Sequence, residues 1–300
     1  MSLRAIVAAV GGDLYAGGRR ANVPAPGHSA RDRSISLLLS KGRVIAHGFG
    51  GADWRAAIDD LRDRGLVDAS GRPTGFVGCQ AEPPPLPSAV RVAAVRDLWE
   101  AARPVRVGSP AARHAQRRHI ARLLGESEAL RAHGAAPLSV YRPGRATRAA
   151  LIAAISGPDG ALAGLEIVYL APNGRLATGV KLPRKTVGRL PAGCAVRLDP
   201  ARESLLVAEG VFTALSAGER FRLPAWALLS TSNLRRWFAP PGVRRVLIAA
   251  DRGADGEASA RRLARRLAAD GVTAFIRLPP APYGDWNDAA AAGMPGGPPW

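Results

Sequence analysis

Two short apolar runs, each closed by an acid, set the pattern of the C-terminal third. Leu205-Leu206-Val207-Ala208 ends in Glu209-Gly210, and Val246-Leu247-Ile248-Ala249-Ala250 ends in Asp251-Arg252-Gly253. Unbroken runs of this length, bounded by turn residues, are the pattern of strands buried on both faces. Helical spacing follows each run, so the segment reads as a parallel α/β sheet. The expected order is strand 204–208, helix 211–218, strand 225–230, helix 232–238, strand 245–250, helix 257–269 and strand 272–278. Ser230 to Asn233 offer capping side chains to the helix that follows them. In the helix from Glu257, Ala260, Leu263, Ala264 and Leu267 make one apolar stripe. Arg261, Arg262, Arg265 and Arg266 lie off that stripe, free to meet a polyanion.

Upstream, the pattern changes twice. Met1 to Val10 reads as a short helix, and Asn22 to His28 as a Pro/Gly loop. Ser34 to Leu39 and Arg43 to His47 flank Ser40-Lys41-Gly42, which predicts a β-hairpin. Asp53 then caps a helix through Arg64 that carries Trp54, Ala57, Ile58 and Leu61 at helical spacing, with Gly65 as its stop. Residues 71–89 are rich in proline (Glu82-Pro83-Pro84-Pro85-Leu86-Pro87) and read as a stiff linker. Val90 to Ala102 predicts a helix, and Ser109-Pro110 opens another that runs to Arg122. The second helix carries Arg113, Arg117, Arg118 and Arg122. Such a face either tracks a phosphate backbone or is simply solvated. His114 and His119 share no helix face and are not a metal pair. Apolar stretches at 149–155, 165–170 and 175–182 are separated by Pro158-Asp159-Gly160 and Pro172-Asn173-Gly174, turn signals that predict an antiparallel meander. Residues 291–300 form a Gly/Pro tail expected to be poorly ordered.

Composition adds a partner class. The chain has 300 residues, with 42 basic side chains against 24 acidic ones and a net charge of +18. Such a field favours nucleic acid, and less often an anionic membrane surface. Cys79 and Cys194 are the only cysteines. Two cysteines exclude a disulfide framework and a Cys-rich zinc site, and fit a reducing cytoplasm. No apolar stretch nears the roughly 18 residues of a membrane span, no signal-peptide core opens the chain, and no Walker motif occurs.

The candidate chemistry lies at the carboxyl ends of the two apolar strands, where sites form in open α/β sheets. Glu209 and Asp251 fall there, side by side. Adjacent carboxylates repel, and a divalent cation with a preference for hard oxygen ligands, Mg²⁺ or Mn²⁺, relieves the repulsion. The alternative is that each acid merely caps a helix.

These residues carry a resemblance. Glu209-Gly210 with Thr213-Ala214-Leu215, and Asp251 to Glu257 ahead of an Ala/Arg-rich helix, resemble the Toprim domain of bacterial-type primases, topoisomerases and some nucleases. Asp285-Trp286-Asn287-Asp288 resembles the motif that follows this domain in primases of phages and plasmids. The resemblance implies that Glu209 is the catalytic acid and Asp251 a metal ligand. One position departs: the family motif is Asp-x-Asp-x-x-Gly, and here Gly253 holds the middle place between Asp251 and Gly256. Either Asp255 or the Asp285/Asp288 pair supplies the missing ligand, or metal binding is weakened.

The first 70 residues are similar to the zinc ribbon of the same primases. Ala25-Pro26-Gly27-His28 and Gly48-Phe49-Gly50-Gly51 occupy its two knuckles, but three cysteines are replaced by Ala25, Gly48 and Gly51. A zinc site needs four N/S ligands, so no zinc is expected. Arg31, Arg33, Lys41 and Trp54 remain as candidate contacts to single-stranded DNA, and for Trp54 the alternative is core packing.

The expected architecture is therefore α+β. It comprises a degenerate ribbon-like unit (1–70), the linker (71–89), a basic α+β subdomain with antiparallel strands (90–203), a four-stranded, mostly parallel α/β Toprim domain (204–290) and the tail. The resemblance implies a DNA primase that uses Mg²⁺ or Mn²⁺, nucleoside triphosphates and single-stranded DNA in DNA replication, alongside a separate replicative helicase. Glu209 and Asp251 are the expected catalytic residues, and Asp251, Asp255, Asp285 and Asp288 the metal ligands. Lys181, Arg184, Lys185, Arg117, Arg118, Arg261 and Arg265 are the expected nucleic-acid or nucleotide contacts. A Toprim nuclease and a catalytically inactive DNA-binding replication factor are the alternatives.

Overall fold

A computed structural model of the chain describes residues 3–30, 32–49, 51–74, 87–141 and 144–293. Most of the expected linker, the tail from 294 onward, Arg31 and Cys79 lie outside the described residues. The chain divides into two compact units, Met1–Pro85 and Leu86–Trp300.

The first unit holds helix α1 (Arg4–Val10), strands β1 (Asp13–Tyr15), β2 (Arg20–Val23), β3 (Ile35–Ser40) and β4 (Arg43–Gly48), and helix α2 (Trp54–Asp63). The strands form one antiparallel sheet in the order β1-β2-β3-β4. The hairpin stands where the pattern put it, with Ser40 opposite Arg43. Lys41 and Gly42 both take positive φ, the conformation a two-residue hairpin turn demands. Asp53 caps α2 through the Arg55 and Ala56 amides. One sheet face packs Ile35, Leu37, Leu39 and Val44 against Ile6, Ile58 and Leu61. Strands β1 and β2 arise in a stretch to which the pattern assigned no element, and β2 takes in Asn22 and Val23 from the expected loop. The residues of the supposed zinc knuckles are tied differently. Asp32 accepts hydrogen bonds from the Ala25 amide and the Ser34 hydroxyl and pairs with His28. A Cβ at Gly48 would sit 1.8 Å from the Ala52 carbonyl oxygen, so no cysteine fits there.

The second unit begins with helix α3 (Ser88–Ala101), strand β5 (Arg103–Pro104) and helix α4 (Pro110–Arg117). Strands β6 (Leu130–Pro137), β7 (Thr147–Ser156), β8 (Leu162–Leu170) and β9 (Arg184–Gly188) follow and complete an antiparallel sheet in the order β5-β6-β7-β8-β9. The meander differs from its expectation in two places. Strand β6 had no clear apolar alternation. The last strand is 184–188 rather than 175–182, because Tyr169 closes the intervening loop through bonds to Pro183 and Ala177. Helix α4 stops at Arg117 and does not reach Arg122. His119 takes φ +56°, and the Ile120 amide returns to the Ala115 carbonyl. This left-handed cap turns Ile120 into the core.

The remaining elements are β10 (Val196–Arg197), β11 (Ser204–Ala208), α5 (Val211–Phe221), β12 (Ala225–Ala227), α6 (Thr231–Leu234), β13 (Arg245–Ala249), α7 (Ala254–Ala269), β14 (Thr273–Arg277) and α8 (Trp286–Ala291). Their sheet runs β10-β12-β11-β13-β14. The four expected strands are parallel, and β10 adds a short antiparallel edge.

Alternation assigns each strand face to a layer. In β7, Ala150, Ile152 and Ala154 face one core with Val95 and Leu98 of α3. Leu151, Ala153 and Ile155 face a second core built with Phe212, Leu215 and Phe221 of α5 and Leu206 and Leu247 of the parallel sheet. The two sheets of this unit therefore share one core across α4 and α5. On the far face of the parallel sheet, Leu205, Val207 and Ile248 pack against Leu234, Trp237, Leu263 and Leu267.

Candidate active site

Register places the acids. Ala208 of β11 is paired with Ala249 of β13. Glu209 follows one residue beyond that pair and Asp251 two residues beyond its partner, at the carboxyl ends of adjacent central strands. Both line a cleft of about 410 Å³, together with Asp285, Gly210, Phe212 and Thr213 on the parallel-sheet side. The antiparallel sheet contributes Glu166, Arg184, Lys185 and Thr186, and the end of α4 contributes Arg118.

The electrostatics of the acids are those of an uncompensated cluster. Burial pushes the Asp251 carboxyl up to about 7, with added repulsion from Glu209, Asp285 and Asp288. Its Oδ1 is buried and has no hydrogen-bond partner, although buried polar atoms are nearly always satisfied. Glu209 is also raised, chiefly by burial. The Thr231 amide and the charges of Arg184 and Arg235 partly offset that rise. Asp285 caps α8 by accepting the Asn287 and Asp288 amides on one oxygen, and the residue lines the cleft.

The donor set suits a hard cation. An orphaned carboxylate oxygen, with three more acids near enough to repel it, is what such an ion relieves. Among the described residues, no three His, Cys, Asp or Glu side chains already stand as a metal-holding group. Mg²⁺ commonly takes one or two carboxylates and completes its shell with water and substrate phosphates, so a preformed cage is not required. Asp251 and Asp285, with Asp288 and Glu209 beside them, are the residues that would hold it.

Asp255 lies elsewhere. It sits in the first turn of α7, is exposed, and is bound by Arg235. Gly253 takes φ +123°, a conformation an aspartate rarely adopts. The backbone at this position is therefore built for glycine. Gly256 is equally constrained, because a Cβ there would lie 2.6 Å from the Asp251 carbonyl oxygen. The start of α7 thus packs directly on the chain that carries Asp251.

The cations are held in place opposite the acids. Arg184 donates to Glu166 at 3.0 Å, and Glu166 is only 5% exposed. Sequence reasoning missed this acid, which sits in an apolar strand run. Strand alternation aims it, with Val168 and Leu170, toward the parallel sheet. Lys185, paired with Ile167, turns to the other face of the sheet, away from the acids and unlike its expected role: its ammonium donates to the Leu138 carbonyl at 2.7 Å and lies 5.1 Å from the Tyr169 ring centre, and burial lowers its pKa. Arg118 stacks 5.3 Å from the Phe212 ring, and its buried Nε has no partner. The His114 ring meets Phe212 edge-on, and its Nδ1 donates to the Gly174 carbonyl, so α4 is anchored beside the cleft. Lys181 and Arg117 are exposed outside the lining. Arg261 pairs with Glu257 at 2.7 Å, and Arg265 is exposed farther along α7.

The Asp-Trp-Asn-Asp stretch is part anchor. Trp286 is buried against Phe221. Asn287, 3% exposed, donates to the Arg118 carbonyl and the Ser216 hydroxyl. It therefore ties the loop carrying Asp285 to both α4 and α5.

Residues 204–294 match the family model described as the Toprim domain, so the chain carries a Toprim domain. Residues 89–198 match a domain of unknown function (DUF7146). No curated protein matches the chain. Among solved structures it is similar to the primase fragment of the bacteriophage T7 primase-helicase protein, at 13% identity over 91% of this chain and 95% of that one, with a TM-score of 0.44. It is also similar to the Aquifex aeolicus primase (zinc binding and RNA polymerase domains), at 13% identity over 98% and 80%, with a TM-score of 0.48. A third likeness is the E. coli primase catalytic core, at 12% identity over 69% and 76%, with a TM-score of 0.46. These structural likenesses are remote.

Proposed function

We propose that the chain is a Toprim-type primase, a DNA-directed nucleotidyltransferase that joins ribonucleotides on single-stranded DNA. The observation that carries this reading is the pairing, in one cleft, of an unsatisfied acidic cluster with fixed cations. Asp251 Oδ1 lacks a partner, while Arg118 and Arg184 line the opposite wall. Phosphoryl transfer needs both, because charge builds on the phosphate oxygens and must be matched.

In this reading Arg184 and Arg118 hold the triphosphate, with Glu166 fixing the Arg184 guanidinium. Glu209, whose pKa is raised, takes the proton of the primer 3′-hydroxyl or joins in holding a second ion. The hydroxyl oxygen then bonds to the α-phosphorus as the bond to pyrophosphate breaks. A bound Mg²⁺ or Mn²⁺ would supply charge neutralisation and orientation of the phosphates. Asp251, Asp285 and Asp288 would hold it, and Asp255 is left to its arginine. Single-stranded DNA is the template partner, and a separate helicase would supply it.

Gly253 favours a second reading. With no acid at that position and a backbone shaped for glycine, the site has fewer ligands than the Toprim motif, and a DNA-binding replication factor without catalysis is the alternative. A primer-synthesis assay with labelled ribonucleotides on single-stranded DNA separates the readings. The primase makes short RNA, a nuclease shortens the DNA, and a binder does neither. Glu209→Gln abolishes synthesis and leaves DNA affinity nearly unchanged if the assignment is right.

A further inference from the structure

The sequence singled out arginines on α7 that the cleft does not use. On that helix Asp255, Ser259, Arg262 and Arg266 recur at intervals of four, three and four residues, which puts them on one face. This face looks toward α6 and the turn that follows it. Arg235 bonds both Asp255 and the Ser259 hydroxyl, and Arg266 donates to the Arg235 carbonyl at 2.6 Å. Beyond α6 the chain places Trp237 inside the core but leaves Phe238 63% exposed. The Arg266 guanidinium lies 4.2 Å from the centre of the Phe238 ring. One face of an exposed aromatic ring is thus held rigid by a cation, beside further arginines.

The charges on this flank are not balanced. Asp255 is the acid that faces it, and Arg235 already binds that acid. Arg236, Arg262 and Arg265 are exposed, and among the described residues none of them pairs with an acid. The flank also begins at the cleft, because Leu229, which lines it, donates its amide to the Glu209 carbonyl and leads within two residues into α6. From Asp255 to Arg266 the helix advances about 16 Å at 1.5 Å per residue.

Resting on the nucleic-acid reading of the cleft, we propose that the α6–α7 flank is a track for single-stranded nucleic acid leading away from the active site. Phe238 is its stacking platform, and Arg236, Arg262, Arg265 and Arg266 are its phosphate contacts. Single-strand binders combine these two elements, a basic path and an aromatic ring that accepts any base. A duplex would leave the ring unused, since its bases are already stacked. An acidic protein segment could match the charge but has no call on an isolated exposed ring, so single-stranded nucleic acid is the occupant that uses both features.

The test is fluorescence anisotropy on the full chain with labelled oligothymidylates of about 6 and about 16 nucleotides, a range that spans single-strand site sizes. Phe238→Ala weakens binding of the longer strand about tenfold, and Phe238→Tyr restores it. Abasic sites through the longer strand remove the difference between wild type and Phe238→Ala. Replacing Arg262 and Arg265 together by glutamine lowers the slope of log affinity against log salt by about 1.4. If wild type and Phe238→Ala bind the longer strand equally, the track is overturned while the cleft reading stands. It is equally overturned if the Phe238→Ala loss persists on abasic strands. If wild type binds neither strand, the reading of the cleft falls with it.

Discussion

Replacing Asp251 by asparagine removes the charge that the cleft leaves unsatisfied and keeps the shape of the side chain. Burial and three neighbouring acids raise this carboxyl from 3.8 to about 7. The native protein therefore holds the proton more tightly than the unfolded chain does. Metal-free stability then falls as pH rises from about 4 through about 7 and stays low above that. A shift of this size corresponds to about 4 kcal/mol. The side chain is partly open to solvent, so about 2–4 kcal/mol is expected. In chelator at about pH 8, Asp251→Asn should melt roughly 5–10 °C above wild type, given 2–4 °C per kcal/mol for a unit of this size. At about pH 3, below the pKa of the carboxyl in the unfolded chain, the two proteins should melt together. Adding Mg²⁺ at the higher pH should raise the wild-type melting temperature and leave the variant where it was. A variant less stable than wild type at both pH values would refute the reasoning. It would mean that Asp251 is satisfied by the protein itself and is no strained acid awaiting a cation.

Three further outcomes follow from the same geometry. Arg184→Ala leaves Glu166 buried without its partner and should cost about 2–3 kcal/mol in urea denaturation, and adding Glu166→Gln should recover most of that loss. Asn287→Ala leaves the Arg118 carbonyl and the Ser216 hydroxyl unsatisfied, so it should destabilise by about 2–3 kcal/mol whether or not Mg²⁺ is present; a change seen only in metal affinity would contradict its role as a tie. Gly256→Ala forces a Cβ against the Asp251 carbonyl and should weaken Mg²⁺ binding in calorimetry, whereas an unchanged affinity would show that α7 moves without disturbing Asp251.

The parallel sheet was legible because its central strands β11, β12 and β13 are buried on both faces, and unbroken apolar runs have few other uses. The same logic failed for β1, β2 and β6. They are short or polar, and pairing with neighbours rather than their own pattern makes them strands. Helix α4 carried a helical pattern past Arg117, but the left-handed turn at His119 is set by Ile120 entering the core. Glu209 and Asp251 could be found at strand ends. Glu166, Asn287 and Phe238 could not, since their roles depend on residues about 18, 70 or 30 positions away meeting them in space. At Gly253 the sequence showed a missing acid. The fold adds that its backbone conformation is one an aspartate rarely takes.

The account depends most on a cation bound between the strand ends, and a crystal of the protein soaked in Mn²⁺ tests that directly. Anomalous density beside Asp251 Oδ1, with Asp285 or Glu209 as a second ligand and Asp255 still on Arg235, is the predicted result. A site with no metal density, in which Asp251 Oδ1 takes a hydrogen bond from the protein, would contradict it.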